Sequence, residues 1–328
     1  MNGREELISR LALKRRRKLG SLSDEAFAEL ELAVREDPSR FVDDDEEQAF
    51  SQVIAALDRY RDSCRDDDLL DDQQYAIAAK KRYARLESDA RKALSTDPDC
   101  VDAMLLASIA QSPQPDAYLD QLIDYEKMIN EEFGSIPRAT TGDTWTDVFM
   151  HPRLRLANSI AFAFYNTARY RMAVERCCDL LALSPLDTLG SRLFCALAMA
   201  RLEDERGLDW LDARDKRRGN AWMHLSRTLL MFKLGRMPAA RRALRGFDNL
   251  CPGGAYALLQ PVFVDVYLPD RPTFTPGTFA ETVLAVHEAG YVIADVPDFL
   301  HWTSEQTWFW DSAHDYCHKN GFEWRDWE

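Results

Sequence analysis

The chain has 328 residues, and 41 basic against 55 acidic side chains leave a formal charge of −14. Apolar residues make up 46%, enough to bury a sizeable core, which excludes wholesale disorder. With 14 glycines and 14 prolines it is neither collagen-like nor a loop-rich sandwich. The negative balance also argues against nucleic acid as the main partner, because duplex binding relies on cations displacing phosphate counterions.

The first twenty residues run against that balance. Lys14-Arg15-Arg16-Arg17-Lys18 gives residues 1–20 a net +5, a run that suits phosphates and supplies one rival reading, a nucleic-acid-linked regulator. The preferred reading is the solvated face of an N-terminal helix, neutralised by the acidic segments that follow. Ser21 with Asp24 resembles a capping box. Residues 42–72 carry twelve acidic residues against three arginines, and helical spacing over Ala49–Tyr60 predicts a short helix between acidic loops. These carboxylates lack the spacing and glycine of an EF-hand.

Beyond them, helical periodicity dominates: 70–95, 153–168, 171–183, 187–203, 219–234 and 237–249 place apolar side chains three and four apart. Residues 134–147 read as a loop. Pro261–Leu268 is the one segment with extended character. Four prolines expose an internal repeat, because the same offsets precede each. The sets are Ala26, Leu30, Ala33, Pro38; Leu86, Ala90, Ala93, Pro98; Ala173, Cys177, Leu180, Pro185; and Ala240, Leu244, Phe247, Pro252. Offsets of four and seven share one helical face, and the proline ends the helix. This specifies helical hairpins that bury their apolar faces only by stacking on neighbours.

The clearest unit is Leu154–Asp187, 34 residues long, with Ala157, Ile160, Ala161 and Phe164 on its first helix. Thr188–Arg218 is a degenerate second unit. Trp222, Leu225, Leu234-Gly235-Arg236, Ala240 and Pro252 mark a third. The arrangement resembles a tetratricopeptide repeat. Asp97-Pro98-Asp99-Cys100-Val101-Asp102-Ala103, His151-Pro152-Arg153-Leu154-Arg155 and Ser184–Arg192 are similar to landmarks of a bacterial tetratricopeptide group related to the suppressor-of-tumorigenicity-seven proteins. The likeness spans about residues 86–300 and departs at Ser184 and Leu186, where the group has asparagine. It implies a non-enzymatic scaffold and supplies no catalytic residues or cofactor.

Seven scattered cysteines without a C-x-x-C pair suit a reducing compartment. The charged N-terminus is unlike a signal peptide, and no apolar run nears the length needed to cross a bilayer. A cytoplasmic protein is expected. The last residues hold Trp302, Trp308, Trp310, Trp324 and Trp327. On one helical face, His314, Cys317 and His318 are candidates for zinc without the usual paired spacing, His301 or Asp311 being the fourth ligand. An aromatic cap on the last repeat is the simpler reading.

No phosphate loop, nucleophile elbow or catalytic triad is present, and Asp209 and Asp212 are paired carboxylates of a common surface kind. The chain therefore reads as a non-enzyme. It divides into an N-terminal helical segment with the basic run and acidic loops (1–72), a helical region with a degenerate repeat (73–133), a linker (134–152), three hairpin units (153–252) and an irregular connection with an aromatic-rich helical cap (253–328). The expected fold is all-α, a right-handed superhelical array. In such arrays the first helix of each hairpin lines a groove. Its non-core positions, Arg155, Asn158, Tyr165, Arg192, Met199, Asn220, Met223 and Arg227, are the candidate binding surface for a protein or peptide partner, the arginines meeting its carboxylates.

Overall fold

The computed structural model describes residues 3–137, 142–260, 262, 264 and 267–325, with Asp68 described by its backbone alone. Among these residues there are sixteen α-helices and no strand. The chain forms two compact units: 1–159 with 268–270, and 160–267 with 271–328.

The first unit contains α1 (Gly3–Leu19), α2 (Asp24–Glu36), α3 (Asp45–Ser63), α4 (Asp72–Thr96), α5 (Val101–Gln111), α6 (Pro115–Phe133) and the start of α7 (His151–Asn166). The acidic segment supplies helix starts. The Asp44 carboxylate accepts from the Glu47 amide to open α3, and Asp71 with Gln74 forms a complete capping box on α4. Carboxylates also complement the positive ends of these helices. The cap on α2 is Ser23, whose Oγ accepts from Ala26 N. The expected box at Ser21 is therefore displaced by two residues, because Ser23 is the residue in extended conformation directly before the helix. Ala49, Val53, Leu86, Ala90, Ala93 and Leu106 form the core shared by α3, α4 and α5.

The second unit continues α7 and adds α8 (Tyr170–Leu183), α9 (Ser191–Arg201), α10 (Glu205–Arg214), α11 (Ala221–Lys233), α12 (Met237–Leu250), α13 (Gly254–Leu259), α14 (Phe279–Ala294), α15 (Asp298–Ser304) and α16 (Thr307–Asn320). Here α9 packs on α8, α10 and α11, and α11 on α12, so consecutive hairpins lean on one another. Pro261, Phe263, Asp265 and Val266 of the extended segment, and Trp327, lie outside the described residues.

The repeated prolines all stand two residues past a helix end. Before each, the last backbone N–H (Asp37, Asp97, Ser184, Cys251) reaches back four residues, to the carbonyls of Ala33, Ala93, Leu180 and Phe247. Packing follows the repeat in three of the four sets. In α2 the buried residue is Val34, and Ala33 is exposed. That helix packs chiefly on α1 and a short 3-10 turn, and Val34 joins a core with Phe50 and Ile54 of α3, so it shares the stop signal while burying a different residue.

The hairpin turns are equally regular. Ala168, Glu203 and Gly235 all have positive φ, at 59°, 60° and 68°. In each turn the next amide bonds the carbonyl five residues back: Arg169 to Phe164, Asp204 to Met199, Arg236 to Met231. This is the Schellman closure. The α9 start lies later than its periodicity indicates, because Asp187 turns back onto the first amides of the helix, whose N-cap is Gly190. Its carboxylate accepts from Ser191 N, Ser191 Oγ and Arg192 N.

Only the third turn uses the residue best suited to a left-handed position. Ala168 is exposed, so its methyl group contributes little packing. Ala168→Gly is expected to stabilise the chain by roughly 0.5–1 kcal/mol, since relief of left-handed strain exceeds the added flexibility of the unfolded chain. Urea unfolding measures the shift in midpoint.

Candidate functional site

The first helices of the hairpins present an apolar face, and in the second unit that face is covered by the chain's own α14, which packs on both α9 and α11. Its sequence Phe279–Ala294 is apolar except for a few positions. Ala285, Glu288, Ala289 and Val292 are fully buried. Glu288 is the anchor. One carboxylate oxygen accepts from Arg271 Nε at 2.6 Å and from the Tyr267 hydroxyl, and the other from Trp222 Nε1 at 2.6 Å. A buried carboxylate is tolerable only with such a complement of donors and an opposite charge.

Tyr165 from α7 donates its hydroxyl to the Glu288 carbonyl at 2.8 Å, and Tyr170 donates to the Tyr291 carbonyl and the Asp295 carboxylate. Seven residues before Glu288, Glu281 accepts from the Ala221 amide at 2.9 Å and so serves the N-terminus of α11. Arg271 also donates to the carbonyls of Leu189 and Gly190. A Cβ at Gly190 would fall 2.3 Å from Arg271 Nη1, so glycine lets this arginine approach the α8–α9 connection.

The residues expected to line an open groove therefore have other surroundings. Arg155, Tyr165 and Met199 are buried. The three arginines meant for a partner's carboxylates already hold carboxylates of this chain. Arg155 pairs with Glu6 and Asp102, Arg192 with Asp187 and Asp215, and Arg227 with Asp209 and Asp212. Asn220 is the N-cap of α11, its Oδ1 accepting from the Met223 amide. Asn158 and Met223 are half-buried, and Asn158 Oδ1 has no hydrogen-bond partner among the described residues. Arg271 and Glu288 escaped sequence reasoning because they lie outside the repeat. The available signal was two acids, Glu281 and Glu288, seven residues apart on one face of an otherwise apolar helix.

In the first unit, Arg155 is the centre of a buried charge cluster. Its Nε and Nη2 donate to Asp102, both at 2.7 Å, and its Nη1 and Nη2 to Glu6 at 2.8 and 2.9 Å. His151 Nδ1 stands 3.2 Å from the same Glu6 carboxylate, while its Nε2 meets the Trp145 carbonyl at 2.8 Å. Burial alone would push the Glu6 carboxyl up, but Arg155 and His151 outweigh it and hold it down at about 2.

The remaining candidates are also engaged within the fold. Lys14 pairs with Asp44, Glu46 and Glu47, and Arg15 and Lys18 with Asp43. Arg17 lies over the Phe149 ring at 4.4 Å. In the last helix the His314 ring is stacked on Trp324 at 3.8 Å, the Cys317 thiol donates to the Phe322 carbonyl, and His318 is exposed. No group of three or more metal-ligating side chains gathers among the described residues. Phe299 and Trp302 pack on Phe232 of α11. No helix among the described residues is long and apolar enough to cross a membrane. Comparisons with protein-family models, curated proteins and solved structures gave no match.

Two outcomes are expected. Glu288→Ala leaves Arg271 buried without its counter-charge and should cost about 3–5 kcal/mol in urea unfolding, with Glu288→Gln costing less. For Glu6, the folded value lies below the ordinary 4.5 of the unfolded chain. Its contribution of about 3 kcal/mol is whole above pH about 4.5 and is lost as pH falls toward 2. Glu6→Gln should therefore be less stable than the parent at neutral pH. Denaturant midpoints measured down the acid range should show that difference closing between those values.

Proposed function

We propose that the chain is a non-catalytic, cytoplasmic scaffold for protein–protein interaction, its tetratricopeptide-like hairpins wound as a right-handed superhelix like those of the bacterial group it resembles. Its partner is a helix taken up on the first-helix face in exchange for α14. The observation that carries this reading is the seating of α14 on α9 and α11: the face accepts an apolar helix with two buried acids, Glu281 and Glu288, seven residues apart, which is the helix-in-groove mode of recognition. A partner helix of the same character places a carboxylate between Trp222 and Arg271. The Tyr165 hydroxyl takes its backbone carbonyl. Recognition rests on these residues rather than on Arg155, Arg192 and Arg227, whose guanidiniums are already paired.

The rival readings have less support. Lys14, Arg15 and Lys18 face acids of their own unit, the His314 ring is stacked on Trp324, the Cys317 thiol donates to the Phe322 carbonyl, and His318 is exposed.

A labelled peptide with the sequence of residues 278–295 tests the exchange. Titrated into the intact chain and into Glu288→Gln, it should bind both saturably and the variant more tightly, because the internal helix is loosened there. Far-UV circular dichroism verifies that the variant is folded. Absence of binding to either folded chain would overturn the reading.

A further inference from the structure

In the first unit, α3 and α4 enclose a cleft of about 210 Å³ whose charge is opposite to that of the whole chain. Arg59 comes from α3, and Lys81, Arg82 and Arg85 come from α4. The three α4 cations lie one, three and four residues apart, a spacing at which like charges repel along a helix. Two of the four have internal partners: Arg59 pairs with Asp89 at 2.8 Å and Arg82 with Asp67 at 2.5 Å. The cleft is left with a net charge of two positive units, and Lys81 and Arg85 are exposed at its rim.

Arg82 is the most informative member. Its side chain is 8% exposed, and its hydrogen bonds all leave from Nη1, to the Ser63 carbonyl and to Asp67. Nε is buried without an acceptor among the described residues, and Nη2 makes no hydrogen bond there. Nε and Nη2 form the edge with which a guanidinium grips an oxyanion by two parallel bonds. A buried donor without an acceptor is costly and calls for an explanation. Ala56, Leu86 and the Tyr60 ring supply apolar wall beside it.

We propose that the α3–α4 cleft is a binding site for a small phosphate monoester. Its dianionic phosphate is held by Lys81 and Arg85 at the rim and drawn toward the buried guanidinium of Arg82, and its carbon group rests against Tyr60 and Leu86. A dianion matches the uncompensated charge, which a monocarboxylate would only half neutralise. The volume falls below the roughly 300 Å³ at which drug-sized pockets begin, so the organic group is small.

Calorimetric titration of the intact chain with phenyl phosphate, inorganic phosphate and benzoate tests this. Phenyl phosphate should bind saturably, more tightly than inorganic phosphate, and about tenfold or more tighter than benzoate. The double variant Lys81→Gln, Arg85→Gln changes only exposed side chains and should keep the parent's unfolding midpoint. It should also lose about tenfold or more of the phenyl phosphate affinity. The proposal is overturned if phenyl phosphate gives no saturable heat, if benzoate binds equally well, if inorganic phosphate alone binds, or if the folded double variant binds like the parent.

Discussion

A helical hairpin has more apolar surface than its own two helices can hide, and the second unit is organised around that excess. Stacking on the next hairpin covers the flanks. It leaves the face formed by the first helices, where Trp222 is fully buried and donates to the Glu288 carboxylate of the covering helix. An apolar helix is the natural cover. Glu288 and Glu281 give this cover its address: the one carboxylate is tolerable where Trp222, Tyr267 and Arg271 converge, the other at the first amide of α11, and either is costly where such donors are missing. The apolar contact supplies affinity, and the buried acids supply register.

The repeat itself was largely legible in the sequence, because its signals are local. Proline two residues past a helix end, small and apolar residues at offsets of four and seven, and a turn residue at a fixed place each act within one helical turn of where they are read. Misplacements occurred where two local signals competed. Ser23 outranked Ser21 because it sits in extended backbone beside the helix, and Asp187 delayed α9 by folding back onto Ser191. In α2 the motif was present, but Val34 rather than Ala33 joined the core. The repeat offsets there describe where the helix stops and not what it buries.

The candidate site was much less legible. Arg192 pairs with Asp187, five residues away. Arg155 takes its partners from Asp102 and Glu6, 53 and 149 residues distant, a separation that no spacing rule covers. An arginine on the polar edge of a first helix looks the same in sequence whether it awaits a ligand or already holds one. The cover of the groove was hidden for a similar reason: α14 carries no repeat landmark and follows a segment that resembled an irregular connection.

Charge pairing also explains why the most conspicuous sequence features are the least available. The run Lys14–Lys18 and the acids Asp43–Glu47 stand out as opposite blocks, and most of their charge is directed at each other across α1 and the start of α3. Blocks of that kind neutralise because each is long enough to find the other. The α3–α4 cleft has no block to mark it. Its cations are single residues on two helices, two of them matched by single acids, and the remainder is a local excess inside an acidic chain. Such an excess is maintained against repulsion along α4 and against the orphaned Nε of Arg82. Paired charges therefore build the scaffold, and the unpaired remainder is where the fold still has charge to offer a ligand.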